Sequence, residues 1–161
     1  MLKLIFLLIF IYFSKMSNLI KFKSHNESAF IPTTASSTDV GFDLTIISIS
    51  KVIDENTLLY DTGISVEPPE GYYFEVVPRS SLSKLGYILS NSIGIIDPNY
   101  RGTIKIALTK INNNAPDIVL PNKRFQLIPR KFITPMFTTT VVEELSETER
   151  GDGGFGSTDH K

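Results

Sequence analysis

Thr103-Ile104-Lys105-Ile106-Ala107-Leu108 alternates along the chain, with Ile104, Ile106 and Leu108 on one side. That period of two is the signature of a half-buried β-strand. The same kind of run recurs on both sides of it. Upstream lie Leu19-Ile20-Lys21-Phe22-Lys23, the β-branched stretch from Phe42 to Ile49, Leu58-Leu59-Tyr60, and Tyr73-Phe74-Glu75-Val76-Val77. Downstream lie Phe125-Gln126-Leu127-Ile128 and Thr138 to Val142. Turn chemistry separates them: Asp61-Thr62-Gly63, Pro68 to Gly71, Asp97-Pro98-Asn99, and Asn112 to Pro116. From residue 17 onward no helix-length stretch carries a 3.6-residue period, and one short helix is expected over Ser80 to Leu85. Many short strands at this spacing predict an all-β sandwich or barrel.

Composition fits one ordinary globular domain. The chain has 161 residues, 42% hydrophobic and 20% charged. Sixteen basic residues face 17 acidic ones, for a formal net charge of -1. That balance argues against a protein held to nucleic acid by bulk charge, so any anion site must be local. No cysteine is present, which excludes disulfides, thiol nucleophiles and Cys-built metal sites. His25 and His160 alone leave little for zinc or a Ser-His triad.

The two ends differ from the middle. Leu2 to Phe13 is apolar apart from Lys3, too short for a firm membrane span and without a good cleavage site after it. Residues 1–16 thus read as an unused upstream start, a signal-like segment or an anchor. In the last case alone would a membrane be a partner; the location expected first is cytoplasmic or nuclear, with the leader unexplained. Residues 17–145 read as the β-domain. Residues 146–161 read as a flexible, glycine-rich arm. Gly151-Asp152-Gly153-Gly154-Phe155-Gly156 matches G-x-G-x-x-G, but it follows no βαβ unit and only five residues remain after it. A plain disordered tail is the ordinary reading of such a terminus. Yet Arg150, Phe155, Ser157 and Thr158 crowd around these glycines. Arg and hydroxyls suit phosphate, free backbone N–H groups approach an anion, and an exposed Phe suits a base.

Three internal stretches carry the same chemistry. Pro78-Arg79-Ser80-Ser81-Leu82 ends a strand and offers an Arg beside two hydroxyls, a phosphate grip or simply a capped helix with a surface Arg. Asp97-Pro98-Asn99 is a hairpin turn whose carboxylate is also placed to take a proton from a water. Asp43, after Gly41-Phe42, is a turn carboxylate or a contact for the waters of a magnesium ion.

Taken in order, these stretches resemble the five motifs of the trimeric dUTPase family. They are Val40-Gly41-Phe42-Asp43-Leu44, Pro78-Arg79-Ser80-Ser81-Leu82-Ser83, Gly94-Ile95-Ile96-Asp97-Pro98-Asn99-Tyr100-Arg101-Gly102, Pro121 to Ile128, and Arg150 to Thr158. The third and fifth are complete and highly specific. The resemblance spans about residues 19–159.

It implies a jelly-roll-like β-barrel of the β-clip kind, assembled as a homotrimer with three shared active sites. The implied reaction converts dUTP and water to dUMP and pyrophosphate with Mg²⁺, which limits uracil in DNA and supplies dUMP for dTMP synthesis. Asp97 would be the general base. Tyr100 would pack under the deoxyribose. The hairpin from Asn91 to Tyr100, including Gly94 and Ile96, would read uracil. Arg79, Ser80, Ser81 and Gln126 would hold the phosphates. Arg150, Gly156, Ser157 and Thr158 would close over the γ-phosphate, with Phe155 stacked on the base. Asp43 would orient magnesium-bound waters while the metal itself sits on the phosphates.

The chain departs from the family pattern at several positions. Phe42 replaces Tyr, Ser81 and Ser83 add bulk to the second motif, and Asp152 adds a charge near the γ-phosphate. Asn122 and Lys123 replace Asp and Arg, and Lys cannot make a bidentate Arg contact. Three other readings remain: a dUTPase-like regulatory module without turnover, a related nucleotide deaminase, and a purely structural jelly roll.

Overall fold

The computed structural model describes residues 18–152. Among them are ten strands: β1 (Lys21–Ser24), β2 (Phe42–Ile46), β3 (Ser48–Val52), β4 (Thr57–Asp61), β5 (Ile64–Glu67), β6 (Tyr72–Pro78), β7 (Tyr87–Leu89), β8 (Gly94–Ile96), β9 (Lys105–Lys110) and β10 (Asn122–Lys131). Two 3-10 helices cover Ser80–Leu85 and Thr134–Met136. One four-stranded sheet has the order β2-β10-β6-β8, a second has β3-β4-β9-β7, and β1 pairs with β5. Every pairing is antiparallel. The sheets do not close, which fits the open jelly-roll-like clip. Among the described residues no helix is long and apolar enough to cross a membrane.

The alternating residues build the core. Ile104, Ile106 and Leu108 are buried, and β10 sends Phe125 and Leu127 inward against Leu44, Phe74 and Val76. One cluster of buried side chains draws on all three sheets, so a single core unites them. Each fully buried Leu, Ile or Phe contributes about 1.5–3 kcal/mol.

Four sequence expectations shift. The run from Phe42 to Ile49 breaks at Ile47 into β2 and β3, which belong to different sheets. Ile104 precedes β9 instead of joining it. Its N–H donates to the Ile64 carbonyl at 2.8 Å and its own carbonyl accepts from Thr62 N–H at 3.2 Å. The Ser80–Leu85 helix is present, but as a 3-10 helix. Thr138 to Val142 forms no strand. Its β-branched residues favour extended chain, but a strand needs a neighbour to exchange hydrogen bonds with. Among the described residues no strand lies against it. Residues 1–17, with the apolar leader, lie outside the described residues.

Candidate active site

The first cluster forms where β2, β6 and β10 meet. Gln126 on β10 stands opposite Asp43 on β2 and opposite Val77 on β6. Between Asn122 and Phe125 the β10–β2 register slips, so Lys123 and Arg124 together face the single residue Thr45. Such a bulge re-aims side chains. Lys123 Nζ reaches Asp43 Oδ2 at 3.1 Å, and Arg79 Nη1 reaches Asp43 Oδ1 at 2.9 Å. Arg124 Nη1 donates to the Ser81 carbonyl at 3.2 Å, while Arg79 N–H donates to the Arg124 carbonyl at 2.8 Å. The short helix after Arg79 is thereby tied to β10. Ser83 does not crowd the cluster, because its hydroxyl turns back to donate to the Ser80 carbonyl at 2.7 Å. A cavity of about 510 Å³ stays open beside Arg79, Ser80 and Ser92.

Asn91 sits on the turn between β7 and β8. Ile93 N–H donates to its carbonyl at 2.6 Å, and Ser92 takes a positive φ of 61°. A Cβ on Gly94 would stand 3.2 Å from Val76 Cβ, so glycine lets β8 lie close on β6. Ile96 anchors the other end of β8 in the core.

Asp97 follows directly and is exposed. It opens a tight turn closed by Tyr100 N–H donating to the Asp97 carbonyl at 3.1 Å. The Tyr100 ring folds back over Gly102, where a Cβ would lie 2.7 Å from Tyr100 Cζ. Its hydroxyl donates to the Thr103 carbonyl at 3.0 Å. The ring is therefore held in place although 41% exposed. A second cavity, about 370 Å³, opens beside Asp97 and is walled by Tyr73, Ile95, Lys131 and Phe132.

The two clusters stand apart. Phe74 pairs with Ile96 across β6 and β8, which puts Asp97 level with Tyr73. Arg79 directly follows the far end of β6, six residues on from Tyr73, a separation of roughly 20 Å at the usual strand rise. One chain thus brings Asp43, Arg79, Lys123 and Gln126 together, and Asp97 and Tyr100 together, but not the two groups. Arg150 lies on the exposed segment after β10. Phe155, Gly156, Ser157 and Thr158 lie outside the described residues.

The sequence model of the dUTPase family matches residues 27–159 of this chain. A deoxyuridine 5'-triphosphate nucleotidohydrolase of Arabidopsis thaliana is 37% identical over 145 residues, covering 90% of this chain and 86% of that protein. One from Hydrogenobaculum is 41% identical over 143 residues, covering 86% and 96%. The chain belongs to the dUTPase family. The fold agrees: a variant of the dUTPase of Staphylococcus bacteriophage 80alpha, solved with dUpNHpp, superposes with a TM-score of 0.67 at 23% identity, covering 88% of this chain and 98% of that one.

Within this dUTPase fold, two residues of the candidate site escape sequence reasoning. Lys123 reads only as a departure from the family's fourth motif, yet it reaches Asp43. Arg124 enters the sequence reading only as part of the fourth motif, yet it fastens the second motif. The bulge that aims both has no period-two signature. Charge around the Asp97 cavity is also balanced locally. The Arg130 guanidinium donates to Glu75 Oε2 at 2.8 Å and holds that carboxyl below its usual range. The Tyr73 hydroxyl donates to Glu75 Oε1 at 2.9 Å, and this bond pushes the phenol up.

Proposed function

We propose that this chain hydrolyses dUTP to dUMP and pyrophosphate in sites shared between copies of itself. The observation that carries the shared site is the wide separation of Arg79 and Asp97 in one chain. The two residues line different cavities of one chain, so a triphosphate gripped at Arg79 lies away from the Asp97 turn of that chain. A neighbouring copy that supplies the Asp97 turn completes the site, and a homotrimer does so three times.

In that site the Asp97 carboxylate takes a proton from water as the water oxygen attacks the α-phosphorus. The bond from the α-phosphorus to the bridging oxygen breaks, and pyrophosphate leaves with the electron pair. The Tyr100 ring, fixed over Gly102, lies under the deoxyribose and leaves no room for a 2′-hydroxyl. Backbone groups between Asn91 and Tyr100, with Gly94 and Ile96 setting the path of β8, read the uracil edge. Cytosine would leave those polar groups mismatched. Arg79, Ser80, Ser81 and Gln126 hold the phosphates. Arg150, Gly156, Ser157 and Thr158 close over the γ-phosphate, with Phe155 on the base, and the closure expels water.

Magnesium is tested by the chemistry of Asp43. Among the described residues no group of three acidic or His side chains forms a cage. Mg²⁺ commonly keeps several waters and sits mainly on substrate phosphates. The two Asp43 oxygens each face one cation but retain lone pairs for such waters. The residues therefore fit an ion carried by the nucleotide and touched by Asp43 through water. The bound ion would neutralise phosphate charge. A variant of the dUTPase from phage phi11 of S. aureus coordinates a structural Mg(II) ion.

The test is pyrophosphate release by the full chain from dUTP, UTP, dCTP and dTTP with Mg²⁺. Release from dUTP alone is expected. Release from none, with tight binding of a non-hydrolysable dUTP analogue, would replace the enzyme by a regulatory nucleotide-binding module.

A further inference from the structure

Exposed turns at loop tips are ordinarily mobile, and a base on such a turn would be poorly aimed. The turn from Asp97 to Arg101 is exposed, yet four of its five carbonyls are engaged. Asp97 O accepts from Tyr100 N–H at 3.1 Å. A single guanidinium nitrogen, Arg101 Nη1, donates to Pro98 O at 2.8 Å and to Tyr100 O at 2.9 Å. Arg101 O accepts from the Ser65 hydroxyl at 3.0 Å. Ser65 is 5% exposed and rooted in β5. Its other neighbour is His25 Nε2 at 2.9 Å. A serine hydroxyl has one hydrogen, and here it goes to Arg101 O. His25 must therefore donate, which holds Nε2 protonated and fixes the direction of the whole chain of bonds.

We propose that Arg101 and Ser65 are positioning residues that clamp the Asp97 turn. Arg101 staples the turn to itself from the solvent side, and Ser65 pins its far end to β5, with His25 orienting the serine proton. The clamp acts on the carboxylate only through the backbone. Neither side chain is required to touch nucleotide. A base held this way needs no reordering when substrate arrives, and small misplacements of a reacting group are costly. The inference rests on the proposed role of Asp97 as the base.

The test uses the full chain with Arg101→Met, which keeps the apolar stem, and Ser65→Ala. Two readouts are taken. The first is amide hydrogen exchange over residues 97–102 in the absence of nucleotide. It should speed up at least about tenfold in each variant, as local opening becomes easier. The second is steady-state dUTP hydrolysis. kcat should fall about tenfold while KM moves less than about threefold, the pattern of a lost transition-state alignment. The same substitutions on an Asp97→Asn background should cost little further, since the group they aim is gone. Arg101→Lys, which retains a donor, should recover part of kcat. Unchanged exchange in both variants overturns the clamp, as does a kcat loss that persists in full on the Asp97→Asn background. Should Asp97→Asn keep full turnover, the base assignment fails, and the exchange readout still decides the clamp.

Discussion

Asp97 follows β8 level with Tyr73 near the start of β6, and Arg79 follows the far end of β6, roughly 20 Å away at the usual strand rise. In the proposed shared site a neighbouring copy supplies the other half. The arrangement predicts complementation between two dead variants. Asp97→Asn and Arg79→Ala should each lose most turnover in pure form. Co-refolded, a mixed trimer can pair an intact Asp97 turn from one copy with an intact Arg79 cluster from another. Such a trimer should regain about one third of its sites. Pyrophosphate release from the mixture measures it. A mixture as inactive as its parts would place both residues in a single-chain site.

The Asp43 carboxylate is shared by Arg79 and Lys123, with a side chain only 11% exposed. Asp43→Asn would leave two cations side by side. Both remain over a third exposed, so water relieves part of the penalty. A cost of about 1 kcal/mol in urea unfolding is expected. Lys123→Met should cost less, and the double variant should cost less than the two together, because each removes the other's partner. Strict additivity would mean that the two side chains are merely close, with no energetic coupling.

Much of the fold was legible because period two survives wherever one strand face is buried. Ile106 and Leu108, or Phe125 and Leu127, are readable for that reason. Some short strands were not: β5, β7 and β8 have only three or four residues each. The candidate site was legible as chemistry, since Asp97, Tyr100 and Arg79 sit in dense, distinctive motifs. Its geometry was not. Nothing in the spacing of residues 79 and 97 says that antiparallel pairing of β8 with β6 sets them beside the two ends of β6. The bulge that turns Lys123 toward Asp43 is likewise a product of pairing between distant strands, and Ser65 has no local pattern tying it to Arg101.

Asp61 joins the strand layers to the turn behind the site. Its carboxylate accepts from Lys105 Nζ at 2.7 Å, Gly63 N–H at 2.8 Å and the Thr103 hydroxyl at 3.1 Å. Burial alone would push this carboxyl up, but the three donors together pull it below the usual carboxylate range. A depressed carboxyl contributes stability above its unfolded pKa, and that contribution is lost as pH falls through the folded value. Wild type should therefore exceed Asp61→Asn in stability at pH 7. The gap should close as pH is lowered from about 5 toward 2, at fixed protein concentration. Urea midpoints across that range measure it. A gap that stays constant over the whole range would assign the effect to something other than the charge.

The segment after β10 carries its apolar side chains outward. Val141 is 98% exposed, Leu145 87%, Met136 81% and Phe137 68%. Scattered exposed hydrophobes are ordinary, but these fall within ten consecutive residues, with Glu143 and Glu144 among them. In an isolated chain a charge at Val141 would meet only water and should change stability by less than about 0.5 kcal/mol. In an assembly that covers the segment, the same charge would be buried without a partner. Val141→Lys is therefore expected to lower the mass seen in sedimentation toward that of a single chain, and to lose dUTP hydrolysis with it. In the proposed shared site the two losses go together. A variant that keeps both its assembled mass and its turnover would show that this segment lies outside the interface.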